Sequence, residues 1–189
     1  MSEIDYGPLG GLRGSWKGDK GLDESPEPDG IEKNSYTETI HFTPAGDVDN
    51  AETQELVAIH YHLAVNRIPD GKAIHNQTGY WIWDAESQLV MHGFTIPRGV
   101  AVIAGGYYRG EVDADGNIVI EVAAELGHRD WQIIQSPFMQ KNAVTTAFNQ
   151  RMTIGRGYLA YSQTTLVDIY DKKSFAHTDQ NELLPLQLD

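Results

Sequence analysis

The sequence predicts an all-β fold: a closed, antiparallel, up-and-down β-barrel of about ten strands around a central ligand cavity. From Ser35 onward, alternating or β-rich runs recur about every ten residues with turn residues between them, which is typical of sandwiches and barrels. No run of about twelve or more residues shows helical periodicity. Consecutive hairpins favour closure, because a closed barrel has no exposed strand edges. A barrel of about ten strands is too wide for its own side chains to fill, so a cavity is expected.

The turns between the predicted strands have recognisable chemistry. Residues 69–71 (Pro-Asp-Gly), 115–117 (Asp-Gly-Asn) and 155–157 (Gly-Arg-Gly) supply proline, glycine and asparagine where tight turns need them. The acidic, proline- and glycine-rich segment 21–34 is predicted to be a mobile surface loop. The predicted strands are 12–18, 35–43, 52–66, 73–83, 88–96, 99–110, 117–125, 130–135, 143–154 and 157–170.

Composition excludes several classes of partner. The 189 residues, 1–189, suit a single domain. With 14 Lys+Arg against 27 Asp+Glu, the net charge of −13 disfavours nucleic acids and anionic membranes. The absence of cysteine excludes disulfides, thiolate metal sites and iron–sulfur clusters. The first residues show no secretory signal, and a cytoplasmic location is expected.

A tryptophan lies between glycines near the start of the chain, at residues 14–18 (Gly-Ser-Trp-Lys-Gly). Trp16 is predicted to plug one end of the barrel, and the glycines allow neighbouring backbone to approach closely. Direct contact between Trp16 and a ligand is the alternative interpretation.

Two of the seven histidines, His60 and His62, lie two residues apart on one strand and therefore share a face. Residues of the opposite parity are apolar and predict the buried face, so these histidines are expected on the barrel wall or surface. A non-haem metal site formed by His60 and His62 with His75 or His92 is the alternative. The apolar residues of opposite parity are Val57, Ile59, Tyr61, Leu63 and Val65.

His75 begins a strand on which alternation places His75, Gln77, Gly79, Trp81 and Trp83 on one face. A small glycine beside large aromatic side chains leaves room for a flat ligand, or marks a bend in the barrel.

His177 follows the last predicted strand, in a segment dense in short polar side chains. Thr178, Asp179 and Asn181 can order a turn by hydrogen bonds to the backbone. Such a turn at the barrel rim would hold the imidazole in one orientation, as a proximal haem ligand requires.

Three stretches together resemble the nitrobindin family, a haem-binding β-barrel domain of fatty-acid-binding-protein-like and lipocalin-like fold. Residues 14–18 are similar to the start of its Gly-x-Trp-x-Gly-x-Gly signature. Residues 74–80 are similar to its His-x-x-x-Gly-aromatic strand, where the histidine lies on the distal side of haem. Thr164 and Thr165, followed by His177, are similar to its final strand and proximal histidine. The order of these stretches fits across nearly the whole chain.

The chain differs from that family in two places, so it is identified as a divergent member. Lys20 stands at the third signature glycine. Residues 22–34 stand in place of a Tyr-Pro-Thr segment that contributes a haem-contacting threonine, and no threonine is assigned to that function here.

The resemblance implies ferric haem b in the barrel mouth, with His177 as the axial ligand of the iron and His75 on the distal side. It also implies reversible binding of nitric oxide and isomerisation of peroxynitrite to nitrate, without a catalytic residue of the chain being assigned. Pairing into a homodimer is expected from the family. The candidate apolar residues around the haem are Trp16, Met91, Phe94, Phe138 and Met139.

A haem-free carrier of a small apolar molecule, using the same cavity, is the alternative function. A serine hydrolase is disfavoured because the sequence contains no Gly-x-Ser-x-Gly motif.

Overall fold

The structure, a computed structural model, describes residues 4–186. A 3₁₀ helix at Gly7–Leu12 precedes the first strand, and a short α-helix, α1, spans Pro137–Asn142. In this described part of the chain, no helix is long and apolar enough to cross a membrane. The strands are β1 (Gly14–Glu27), β2 (Gly30–Ala51), β3 (Gln54–Arg67), β4 (Ala73–Asp84), β5 (Leu89–Ile96), β6 (Val100–Tyr107), β7 (Ile118–Glu125), β8 (Ile133–Gln135), β9 (Ala143–Gly155), β10 (Tyr158–Ile169) and β11 (Lys172–Pro185).

Ten of these strands form a closed antiparallel barrel, which confirms the predicted all-β fold class. β1 to β6 pair in sequence order, and β7, β9, β10 and β11 follow. The pairing of β11 with β1 closes the barrel. We call the end with the β1–β2, β3–β4, β5–β6 and β10–β11 turns the mouth.

The strand that closes the barrel is not among the ten predicted strands. β11 was expected to be a turn around His177, because its inward positions are polar and break the apolar alternation. The predicted strand 130–135 exists only as the short β8, which pairs with β6 at the mouth and is not part of the closed ring. The number of barrel strands is therefore right, but one member was wrongly assigned.

The segment 21–34 is also not the predicted loop. It is a β-hairpin that extends β1 and β2 and turns at residues 28 and 29. Beyond Glu24, the β1 residues pair with β2 but no longer with β11. Pro26 lies in this two-stranded extension, where its missing N–H removes no bond of the barrel.

A β-bulge in β1 changes which of its side chains face inward. Gly18 pairs with Glu38 of β2, and Gly21 pairs with Tyr36. Between these two pairs β1 therefore has two residues where β2 has one. One extra residue reverses the alternation of a strand. As a result Asp23 faces the interior, whereas Leu22 is 50 % exposed.

The end opposite the mouth is closed by the residues before β1. Leu9 and Leu12 of the 3₁₀ helix are fully buried, and the helix packs against β4 and β9. Trp16 lies beside them and donates its Nε1–H to the Leu12 carbonyl at 2.7 Å. Trp16 therefore has the structural position predicted for it.

Gly79 marks a close approach between two strands. It pairs directly with Phe94 of β5, and a Cβ at Gly79 would overlap the Gly93 carbonyl oxygen and the Phe94 backbone. β5 therefore occupies the space beside this glycine. Gly79 serves the packing of the barrel wall, as in the bend interpretation, and leaves no room beside it for a flat ligand.

Replacing Gly79→Ala is expected to lower the free energy of unfolding by about 1–3 kcal/mol, because the methyl group forces β4 and β5 apart. Gly93→Ala is the matched control, since its Cβ would meet only Ile103 Cγ1 at 4.0 Å. Urea unfolding of both variants measures the difference. Equal losses of stability in the two variants would contradict the close approach.

Candidate functional site

The half of the barrel interior nearest the mouth is lined by polar and ionisable side chains. β11 shows this most clearly, because His177, Asp179 and Asn181 alternate along its inner face. His177 therefore lies within a strand, paired with Thr165 of β10, and not in a turn after the last strand. The inward polar residues near the mouth are Asp23, Glu38, His75, Gln77, Gln150, Gln163, His177, Asp179 and Asn181.

His177 is held by one carboxylate from the neighbouring β1 and one from its own strand, β11. Its Nε2 lies 2.6 Å from Asp23 Oδ1 and 3.7 Å from Asp179 Oδ2. Asn34 and Gln163 donate further hydrogen bonds to Asp23 and Asp179, at 3.4 and 3.1 Å. The three central side chains offer one nitrogen and two oxygens within 4.8 Å of one another. This grouping can hold a proton or a small cation.

The charges in this group are interdependent. Burial lowers the pKa of His177, but the hydrogen bond and charge of Asp23 and the charge of Asp179 outweigh it and raise that pKa. Burial alone would raise the pKa of Asp23, yet its bond to His177 brings it below the ordinary value. Burial raises the pKa of Asp179 to about 6. The Asp23–His177 pair is therefore ionic near neutral pH.

The second ring nitrogen of His177 is open. Among the described residues, Nδ1 makes no hydrogen bond, and it is not one of the fully buried unpartnered atoms. The pair thus matches a common arrangement at metal centres, in which one imidazole nitrogen binds the metal while the other donates to a carboxylate.

His75 of β4 faces the same part of the interior. Its Nε2 lies 3.2 Å from Gln77 Oε1, and its Nδ1 is likewise without a hydrogen bond to any described residue and not fully buried. Burial lowers the pKa of His75, and the charge of His177 lowers it further. The structure thus brings the two predicted histidines together, with His75 neutral.

Behind His75, a hydrogen-bonded series runs into the apolar core. Gln77 Nε2 donates to the hydroxyl of Tyr61, and that hydroxyl lies 2.7 Å from His92 Nε2. His92 is only 1 % exposed and stacks on Trp81, with ring centroids 4.0 Å apart and planes 8° apart. Burial lowers the pKa of His92 to about 3, so its imidazole is neutral.

A second series connects the interior to Asp179. Gln150 of β9 donates its Nε2–H to Gln163 Oε1 at 3.3 Å, and Gln163 donates to Asp179 Oδ2. Gln150 Oε1 and His92 Nδ1 are both buried and unpartnered in the described chain. Gln150 also lies close enough to His92 to raise the pKa of that imidazole against the effect of burial.

Glu38 of β2 is a buried acid on the adjacent wall. Its Oε2 accepts hydrogen bonds from Tyr161 at 3.0 Å and from Asn181 at 2.9 Å, while Oε1 has no partner among the described residues. Burial raises the pKa of Glu38 to about 7 in spite of these bonds.

The predicted apolar contact residues lie in four different places. Trp16 belongs to the closed end of the barrel, seven residues along β1 from Asp23. Phe94 faces inward and contacts His92 and Phe148, whereas Met91 alternates with the inward His92 and lies on the outer side of β5. The alternation of β5 therefore removes Met91 from the interior. Phe138 and Met139 are on α1 at the mouth, with Phe138 65 % exposed and Met139 packed against the core.

The alternative metal site is wrong. His60 and His62 lie on the outer face of β3, where they contact Thr78 and Asn76 of β4, as expected for wall histidines. His75 and His92 lie on the opposite, inward face of the same wall. Strand alternation therefore keeps these two pairs on different sides of the barrel.

Asp23, Asp179 and Glu38 were not predicted as site residues, and His92 was named only as a ligand of the alternative metal site. Asp179 carries a usable signal, since it lies two residues from His177 and shares its face if the segment is a strand. Asp23 carries none, because its inward direction depends on the bulge.

Comparison with known proteins adds a family match. A family model described as "THAP4-like, heme-binding beta-barrel domain" matches residues 5–184. Among solved structures, the chain is similar to "Crystal Structure of Rv2717c from M. tuberculosis", with 22 % identity, 95 % of each chain covered and a TM-score of 0.67. At that identity the similarity shows a shared fold. No curated protein matches the chain.

We expect Glu38 to make stability depend on pH. Because its pKa is raised, the buried carboxyl of Glu38 stays neutral in the folded protein at pH values where it already ionises in the unfolded chain. The folded state therefore loses stability as pH rises from the ordinary pKa of a glutamate through about 7. The free energy of unfolding of the wild type should therefore fall by about 3 kcal/mol relative to Glu38→Gln between mildly acidic and mildly alkaline pH. Thermal unfolding across this range measures it. A difference between the two proteins that does not change with pH would contradict the raised pKa.

Proposed function

Because the chain belongs to the THAP4-like, haem-binding β-barrel domain family, we propose that haem binds at the mouth with His177 as its axial ligand. The observation that carries this proposal is the Asp23–His177 pair. Nε2 of the imidazole is engaged by a carboxylate, and Nδ1 is open.

The donor set at the mouth fits a histidine-ligated group. A ligating imidazole needs its other nitrogen hydrogen-bonded to fix its orientation and raise its basicity, and Asp23 does both. Ligation requires that Nδ1 be unprotonated, so binding would release a proton from His177. Asp23 would keep the charge that balances the Nε2–H.

Other residues at the mouth complete the proposed site. His75 is neutral, has an open Nδ1, and would lie on the side of the haem away from His177. Phe138 and Met139 on α1 would supply apolar contact to the porphyrin, and the exposed ring of Phe138 is the surface that such a contact would cover. The resemblance to nitrobindins implies haem b, and the sequence contains no cysteine for the thioether links of c-type haem.

The chemistry would be that of the nitrobindin-like resemblance: reversible binding of nitric oxide and isomerisation of peroxynitrite to nitrate. When bound, haem supplies the iron that binds the diatomic ligand and acts as a Lewis acid towards the oxidised nitrogen substrate. The chain itself would orient the axial imidazole through Asp23 and shield the iron from bulk water. The polar inner face near the mouth favours this proposal over a haem-free carrier of an apolar molecule. Cytoplasmic location and a homodimer stay predictions.

Hemin titration of the purified protein tests the proposal. We expect a saturable one-to-one Soret change in the wild type, which His177→Ala abolishes or shifts. Asp23→Asn should weaken hemin binding by about 10- to 100-fold, because the imidazole loses its orienting partner.

The matched control for that experiment is His62→Ala, which removes an exposed histidine from the outer face of the same barrel and should leave the titration unchanged. The absence of any saturable Soret change in the wild type, or an identical titration of His177→Ala, would overturn the proposal. Stoichiometric zinc binding lost in Asp179→Asn, without a Soret change, would assign the carboxylate–histidine group to a simple cation instead.

A further inference from the structure

The hydrogen bonds that lead away from Asp179 all run in one direction. Gln163 donates its amide N–H to Asp179 Oδ2 at 3.1 Å and presents its carbonyl Oε1 to Gln150. Gln150 therefore donates its Nε2–H to Gln163 and leaves its own Oε1 as an acceptor. That acceptor is buried and has no partner in the described residues.

His92 has the complementary atom. Its Nδ1 is also buried and unpartnered, and Gln150 lies close enough to raise the pKa of the imidazole against the effect of burial. A neutral imidazole carries one N–H, and a proton on Nδ1 faces the Gln150 carbonyl. His92 Nε2 is then an acceptor and takes the O–H of Tyr61 at 2.7 Å.

The same direction continues to the mouth. The Tyr61 hydroxyl donates to His92 and accepts the amide N–H of Gln77. Gln77 thereby turns its carbonyl Oε1 towards His75 Nε2, 3.2 Å away. A carbonyl oxygen only accepts, so His75 must carry its proton on Nε2.

We infer that the series of Gln163, Gln150, His92, Tyr61 and Gln77 fixes His75 in the Nε2–H tautomer, so that the mouth offers its ligand a hydrogen-bond acceptor at His75 Nδ1. Each hydrogen bond in the series agrees with this direction, and its two unpartnered buried atoms, His92 Nδ1 and Gln150 Oε1, are then a donor and an acceptor. Trp81 stacks on His92 and opposes rotation of that ring.

The inference names the class of ligand for the proposed function, on which it rests. A lone pair at Nδ1 stabilises a small ligand that carries its own proton, such as water, hydrogen peroxide or the protonated form of an oxidised nitrogen ligand. It gives no hydrogen bond to small anions such as fluoride or azide. His75 is thus a specificity-determining residue, and Gln77 and Tyr61 are its positioning residues.

Long-range ¹⁵N–¹H correlation spectra of the ligand-free protein measure the tautomer directly. We expect His75 in the Nε2–H form and His92 in the Nδ1–H form at neutral pH. An Nδ1–H tautomer of His75 in the wild type would overturn the inference. Because the measurement needs no haem, it stands apart from the hemin titration, and failure of haem binding leaves its result interpretable.

Tyr61→Phe breaks the series at one hydroxyl. Gln77 then loses the acceptor that orients its amide, and His75 should become a mixture of both tautomers. Tyr80→Phe is the matched control, since Tyr80 is 47 % exposed on the outer face of β4 and should leave the spectra unchanged. A His75 tautomer that is the same in Tyr61→Phe as in the wild type would also overturn the inference.

Fluoride titration of the hemin-loaded proteins adds a functional measurement. An N–H donor stabilises bound fluoride, so the wild type should bind it weakly and Tyr61→Phe about tenfold more tightly, as one hydrogen bond to a charged group predicts. Equal fluoride affinities, with tautomers that differ, would show that His75 does not contact the ligand and would overturn its assignment as the specificity residue.

Discussion

The bulge in β1 is the constraint on which the site depends. Without the extra residue between Gly18 and Gly21, the inward positions of β1 would be those of Lys20 and Leu22, and no carboxylate of β1 would reach His177. Both glycines are required there. A Cβ at Gly21 would overlap the ring of Tyr36, and one at Gly18 would meet Asn181 and the Glu182 carbonyl. The bulge is therefore held in place by close packing on each side of the strand, and it brings Asp23 to 2.6 Å from His177.

This arrangement explains why the barrel was more predictable than its site. Turn chemistry and alternation are local properties, and they located most of the strands and the face of β4 that carries His75. The exception was β11. Its inner face carries His177, Asp179 and Asn181, so a pattern of alternating apolar residues is missing and the polar composition predicts a turn. The inward direction of Asp23 could not be predicted for a different reason. Its side-chain direction depends on a register shift that no pattern within β1 encodes.

The differences from the family signature have a physical counterpart in the same region. Lys20, at the third signature glycine, lies on the exterior and pairs with Glu182 at 2.7 Å. Asp23 belongs to the segment that stands in place of Tyr-Pro-Thr, and its carboxylate partners the very histidine that the resemblance makes axial. A carboxylate partner makes an imidazole more basic than a neutral partner would, and this would increase its electron donation to a bound iron.

The pKa values of the two histidines at the mouth are shifted in opposite directions, that of His177 upward and that of His75 downward. Both are largely withdrawn from water, which by itself lowers the pKa of an imidazole. At His177 the carboxylates of Asp23 and Asp179 reverse that effect. His75 instead contacts the neutral amide of Gln77, and the charge of His177 lowers its pKa by more than the charge of Asp23 raises it. The positive charge on one ring therefore helps to keep the other neutral. A basic, anchored imidazole and a neutral one with an open lone pair then face the same space, and this asymmetry is what a site with one iron ligand and one ligand-contacting histidine requires.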